Sequence, residues 1–368
     1  MNTETQRIVK DLMELARIDA PSFQEGEMAQ ALKARLGALG LTVCEDDAGE
    51  KLGGECGNLF ARWEGDPGKE AVLLSAHMDT VDPCIGKVPV LEDGVIKSSG
   101  QTVLGADDLS GVTAILEGIR RVQEKGLPHR TVEILFSIAE EVYTKGAAVF
   151  DYSRVTAKQA YCLDASGPIG NAARRAPTLL SFRITVTGKA SHAGFAPEKG
   201  ISAVTAAAKA AAALPQGRID AESTRNIGLI RGGTATNIVP DSCELEGEIR
   251  SFDHGRALAL LDETREVFER AAQETGAAVS IEHTVHFKAY EVGENAPVAK
   301  DFLRACEKCG TKGNLVSTLG GADNHQFNAH GIEGLVIACA MENVHSAAEY
   351  IKAEDLEKLA QLVEALVQ

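Results

Sequence analysis

Basic residues are in the minority. The 368-residue chain carries 37 lysines and arginines against 53 aspartates and glutamates, a formal charge of −16. A nucleic-acid partner needs a basic face to displace counterions, so that class of function is excluded. The acidity itself specifies no partner; it mainly favours solubility. No apolar run is long enough to span a bilayer. The opening stretch "MNTETQRIVKDLMELARI" is an amphipathic helix pattern without the apolar core of a secretory signal. A cytoplasmic protein with no membrane partner is the expectation. Eight cysteines do not make a dense disulfide framework over this length. The "CEKC" of Cys306 and Cys309 has redox or zinc-ligand spacing but no second pair nearby. It also lies in "VAKDFLRACEKCG", which reads as a helix closed by Gly310, so a structural thiol pair is expected. Internal repeats, low-complexity linkers and a glycine-rich phosphate cradle are missing too, and the last absence disfavours phosphoryl transfer.

What is present changes texture along the chain, and its length allows two domains. In the first half, strand-like apolar runs alternate with helical patterns: "AVLLSAHMD" (71–79), a helix from Ser110 to Glu124, "TVEILFSIAEE" (131–141) and "QAYCLDAS" (159–166). This order predicts an α/β fold with a mixed, mostly parallel sheet flanked by helices. Polar functional residues should then collect at the carboxyl ends of its strands. From about Thr178, "LLSFRITVTG", "NIGLIRGG", "SCELEGEIRSF" and "AVSIEHTVHF" read as strands around two helices. The α/β texture resumes with "PVAKDFLRACEKC", "GLVIACA" and "AEDLEKLAQLVEALV". The prediction is a catalytic α/β domain over 1–177 and 289–368, interrupted by an inserted α+β lid or dimerisation domain at 178–288. Within the insert, the "TLLSFRITVTG" strand suits edge-to-edge dimerisation into a homodimer.

Candidate chemistry lies where strand-like runs meet loops. His77 and Asp79 ("SAHMDTV") are two residues apart and project to one side of an extended chain. Asp107 and Asp108 ("GADDLSG") open a helix, Glu140 and Glu141 follow one strand, Asp164 ends another, and His345 ("ENVHSAAEY") follows "GLVIACA". Singly, each reads as a turn carboxylate or an ordinary histidine, and "GADDLSG" as a solvated turn. Together, three successive strands release Asp, His or Glu at one edge, and carboxylates are paired twice. Imidazole with carboxylate suits zinc, cobalt or manganese. A two-metal centre needs a bridging carboxylate with terminal ligands on both sides.

The strings "SAHMDTV", "LGADDLSGV", "AEEVYTKGA", "LDASG", "GKASHAG", "GGADNHQFNAHGI" and "ENVHSAAEY" occur in an order that resembles the dinuclear zinc metallopeptidase family of peptidase T, glutamate carboxypeptidase and aminoacylase. The likeness is strongest to its peptidase T-like members. The resemblance implies two divalent metal ions, zinc first, with cobalt or manganese as alternatives. It makes Asp107 the bridging carboxylate, places His77 and Asp164 on one ion, and places Glu141 and His345 on the other. Asp79 would orient His77, Glu140 would be the general base and acid for a metal-bound hydroxide, and the Asp107–Asp108 peptide bond would be cis. His192 would polarise the substrate carbonyl, while Asn237 and Arg250 would hold the substrate, Arg250 through a fork on its carboxylate. His325 and His330 are given structural or substrate-wall roles, because the family's last metal histidine falls in the "HSAAEY" string. Leu109 stands where many relatives carry lysine, and "HAGFAPEKG" replaces the expected "HPG". The implied activity is hydrolysis of small peptides by an aminotripeptidase or related exopeptidase. The alternative is a deacylase or carboxypeptidase acting on N-acyl amino acids or dipeptides.

Overall fold

The computed structural model describes residues 2–368. It separates into two compact units: one runs to Arg175 and resumes at Glu291, and the other is Ala176–Tyr290.

The larger unit is built on a nine-stranded sheet. Its centre is four parallel strands in the order Val132–Ser137, Val72–His77, Gln159–Ala165 and Glu333–Ala338. Leu59–Trp63 and Thr42–Glu45 extend one side antiparallel. The two central strands Val72–His77 and Val132–Ser137 are buried at every residue. Helices cover both faces of such a sheet, so its strands read as continuous apolar runs rather than alternations. The helix Ala106–Lys125 packs on Val72–His77 and against the C-terminal helix Ala353–Leu366. Two glycines shape its start. Gly105 takes a left-handed φ of 81°, which only glycine adopts cheaply. At Gly111 a Cβ would lie 2.4 Å from the Leu163 carbonyl oxygen, so a side chain there would push the helix off the strand that carries Asp164. A separate three-stranded sheet pairs Pro89–Glu92, Val95–Ser98 and Tyr350–Lys352. Cys306 and Cys309 sit on and just after the helix Pro297–Lys308, and all eight cysteines are free thiols.

The smaller unit is a five-stranded antiparallel sheet with two helices, Ala203–Ala213 and His254–Thr275, packed on its apolar face. Its order corrects one expectation. Thr178–Thr187 is not an edge: it pairs with Ser242–Ser251 on one side and Ala278–Phe287 on the other. Its in-out alternation reports one buried face, which a central strand shares with an edge strand. One edge is Ala278–Phe287, and the other is Ser223–Gly232, whose outer side is paired only at Ser223–Arg225, by Gly217–Asp220. Among the described residues, no helix is long and apolar enough to cross a membrane.

Candidate metal centre

Four of the five candidate ligands end or follow strands of the parallel sheet at their carboxyl ends, where open α/β sheets present their sites, and the fifth, Asp107, comes from a helix start. His77 closes its strand, and Asp164 lies one residue from the end of Gln159–Ala165. Asp107 stands in the non-helical first turn of Ala106–Lys125, and its peptide bond to Asp108 is cis. Glu141 follows the Val132–Ser137 strand, and His345 follows Glu333–Ala338.

Two donor groups result, His77–Asp107–Asp164 and Asp107–Glu141–His345, each with its ligand atoms within 4.8 Å of one another. Asp107 is common to both, and its oxygens are divided between them. His77 Nε2 lies 3.2 Å from Asp107 Oδ1 and 3.8 Å from Asp164 Oδ1. His345 Nε2 lies 3.3 Å from Asp107 Oδ2 and 3.1 Å from Glu141 Oε2. The other nitrogen of His77, Nδ1, is 3.0 Å from the main-chain oxygen of Asp79 and 3.3 Å from its carboxylate. That contact leaves Nε2 facing the carboxylates, the usual way a ligating histidine is oriented.

Main-chain N–H groups behind the ligands are gathered by buried acceptors. The Asp79 carboxylate accepts from the amides of Glu140 (2.9 Å) and Glu141 (3.2 Å) and from the Ser22 hydroxyl. Glu25 accepts from Ala139 N, and Asn58 Oδ1 accepts from Ile138 N. Four consecutive amides are thus fixed, one of them that of Ala139, held at a φ of 50°, a conformation that survives only where its surroundings enforce it. Asp108 accepts from His77 N (3.2 Å) and Gly111 N (3.3 Å). It is a buttress for the histidine and belongs to neither donor group. Glu349 accepts from Leu104, Gly105 and Asp107. Glu25, Asn58 and Glu349 carry no signal in the sequence, since an acceptor of main-chain N–H groups looks there like any surface polar residue.

Electrostatics fit the donor set to cations. Burial drives Glu140 well above the ordinary carboxylate range, and Asp164 adds to the effect. Asp164 is itself pushed up by burial and by Asp107 and Asp108. Burial also opposes ionisation of Asp107, but hydrogen bonds from His345 and His77 outweigh it and hold this carboxyl well below its usual range. Hydrogen bonds to Asp107 and Glu141 raise His345 to about 10. Glu141 Oε1 is buried with no hydrogen-bond partner. Closely packed carboxylates with two imidazoles and an unsatisfied oxygen are chemistry that divalent cations complete. Glu140 lies outside both donor groups, within electrostatic reach of Asp164 and Glu141.

In the smaller unit, Ser191–His192 pairs with Ile238–Val239, and Ala193 N donates to Asn237 O, so His192 and Asn237 share one ribbon. His192 Nδ1 accepts from Gly194 N and Phe195 N, which leaves Nε2 as the outward-facing donor. Arg250 lies elsewhere, on the five-stranded sheet, where its fork holds Glu248 at 2.8 and 3.2 Å. His325 is buried and packed against its own turn, and His330 stacks on Tyr152 at 4.0 Å; neither joins a donor group.

Comparison with known proteins identifies the family. The family model described as a peptidase dimerisation domain matches residues 176–276, and that of peptidase family M28 matches residues 58–216. The uncharacterised protein YqjE of Bacillus subtilis is 36% identical over 99% of this chain and 98% of its own length. The crystal structure of aminopeptidase PepT from Bacillus cereus superposes with a TM-score of 0.93 at 38% identity, covering 99% of this chain and 98% of that one. A tripeptidase from Staphylococcus aureus superposes with a TM-score of 0.96 at 32% identity, over 99% and 97% of the two chains. The chain belongs to the family of dinuclear metallopeptidases that contains peptidase T.

Proposed function

We propose that this metallopeptidase is an aminopeptidase that removes the N-terminal residue of short peptides, tripeptides foremost. The observation that carries the reading is a buried, unliganded Glu140 beside two donor groups joined through Asp107. The relatives named aminopeptidase and tripeptidase, each matched along nearly its whole length, favour a free-amine substrate over an acylated one.

His77, Asp107 and Asp164 would hold one zinc ion, and Asp107, Glu141 and His345 the other. When bound, such ions lower the pKa of a water molecule and polarise the scissile carbonyl. Glu140 takes the proton from the attacking water and passes it to the leaving amine. Its burial fits that duty, because a raised carboxyl pKa brings base and acid closer to neutral pH. Asp79 keeps His77 oriented and the Glu140 main chain fixed. His192 donates from Nε2 to the oxygen on which charge develops. Asn237 binds the substrate, and so does Arg250, which must exchange Glu248 for the peptide carboxylate. The smaller unit serves as lid and dimerisation domain. Of its two sheet edges, the one at 226–232, with Ile230 53% exposed, is the surface on which two copies would pair.

The test is a panel of tripeptides and dipeptides with free or acetylated amines, assayed with zinc and with chelator. Cleavage of free-amine tripeptides, lost on chelation and blocked by acetylation, is the expected result. Preferential cleavage of the acetylated substrates would replace this reading with a deacylase.

A further inference from the structure

We infer that Glu349 is a positioning residue that sets Asp107 against His345 and so tunes the ion these two residues share. The inference rests on the two-ion reading above. Glu349 is 1% exposed, and its carboxylate accepts three main-chain hydrogen bonds from one turn. Oε2 takes Leu104 N at 2.7 Å and Gly105 N at 2.8 Å, and Oε1 takes Asp107 N at 2.9 Å. These are amides at the start of the helix Ala106–Lys125, whose cap residue, Gly105, has no side chain to satisfy them. The capping carboxylate therefore comes from about 240 residues away. It arrives four residues after His345.

The segment bringing it is closed upon itself. Glu342 and Tyr350 exchange both main-chain hydrogen bonds, Glu349 N donates to Ser346 O, and Ser346 Oγ donates to Asn343 O at 2.7 Å. His345 is carried on this closed loop with a left-handed φ of 61° and a side chain 54% exposed. Beyond Asp107 and Glu141, little else holds the imidazole. Seating Glu349 in the Asp107 turn fixes the loop, and with it the 3.3 Å approach of His345 Nε2 to Asp107 Oδ2. A glutamine would turn an N–H₂ group toward at least one of the three amides and break the seat. The His77–Asp164 side of the centre shares Asp107, but neither His77 nor Asp164 is carried on the loop that Glu349 fixes.

The experiment is a titration of the metal-free protein with cobalt(II) chloride, followed by visible absorption and calorimetry, for wild type, E349Q and E349D. The expected result is two ions on wild type. On E349Q one ion should keep wild-type affinity while the other weakens by about 10–100-fold, the usual cost of losing a residue that orients a ligand. E349D keeps the carboxyl group on a shorter stem, so it should show the same asymmetry more weakly and serves if E349Q folds poorly. Amide exchange at Leu104, Gly105 and Asp107 should also quicken in both variants. Two ions bound at wild-type affinity by both variants would overturn the inference, and so would equal weakening of both ions. A wild-type chain that takes fewer than two ions would instead contradict the two-ion reading.

Discussion

Asp108 turns its oxygens toward the main-chain nitrogens of His77 and Gly111, while its neighbour Asp107 faces both donor groups. Adjacent carboxylates that look equivalent in "GADDLSG" therefore face different partners, Asp107 the two donor groups and Asp108 the main chain of His77 and Gly111. D108A would strand two buried N–H groups, each costing about 1–3 kcal/mol. Thermal unfolding of the metal-free protein should show that loss, and metal titration should show weaker binding at the His77 side. Unchanged stability and affinity would remove Asp108 from the site. The donor types were legible in the sequence, because successive strand ends bring imidazoles and paired carboxylates to one edge of a sheet, where their mutual repulsion calls for a cation. Their supports were not. Glu25, Asn58 and Glu349 act through main-chain amides, and that partnership exists only once distant loops have met. Arg250 has a partner that sequence alone does not report. Its type suits a carboxylate, but the residue two positions back, Glu248, holds its fork.

At the scale of elements, the strand-and-helix alternation of the larger unit was readable, since buried parallel strands are nearly uniform apolar runs. Strand order in the smaller unit was not, because alternation marks a buried face and is silent about hydrogen-bonded neighbours. Thr178–Thr187 accordingly lies inside its sheet and Ser223–Gly232 at the edge. I230K should keep the fold and shift the protein from dimer to monomer in light scattering; an unaltered dimer would locate the interface elsewhere. The helix Ala106–Lys125 offers a second test. G111A places a methyl group 2.4 Å from a backbone oxygen of the Asp164 strand, a contact that forces helix and strand apart. Overpacking of this kind costs about 1–3 kcal/mol. Metal affinity should fall together with stability, and a fully stable, fully loaded G111A would contradict the packing described.

Across the whole molecule, the catalytic sheet is braced by ion pairs as well as by its core. Arg121, 1% exposed, binds Glu357 through two bonds of 2.9 and 2.8 Å and Glu117 through one of 2.8 Å, tying the helix Ala106–Lys125 to Ala353–Leu366. Burial opposes ionisation of Glu357, but Arg121, Thr5 and Gln361 outweigh it and lower its pKa. A depressed carboxyl stabilises the fold above its unfolded pKa, near 4.3, and loses that contribution as pH falls through the folded value. E357Q should therefore cost on the order of 1.5–3 kcal/mol at pH 7. In denaturant titrations of the metal-free protein that deficit should shrink below about pH 4. A deficit independent of pH would assign the loss to packing. In the proposed mechanism Glu140 moves the proton while other residues hold the metals. The most direct measurement of that role is turnover of a free-amine tripeptide by zinc-loaded E140Q, with the zinc content of the same sample determined. Two ions per chain and a rate reduced by at least 10²–10⁴-fold are the expected result. Wild-type turnover by a fully loaded E140Q protein would contradict that role.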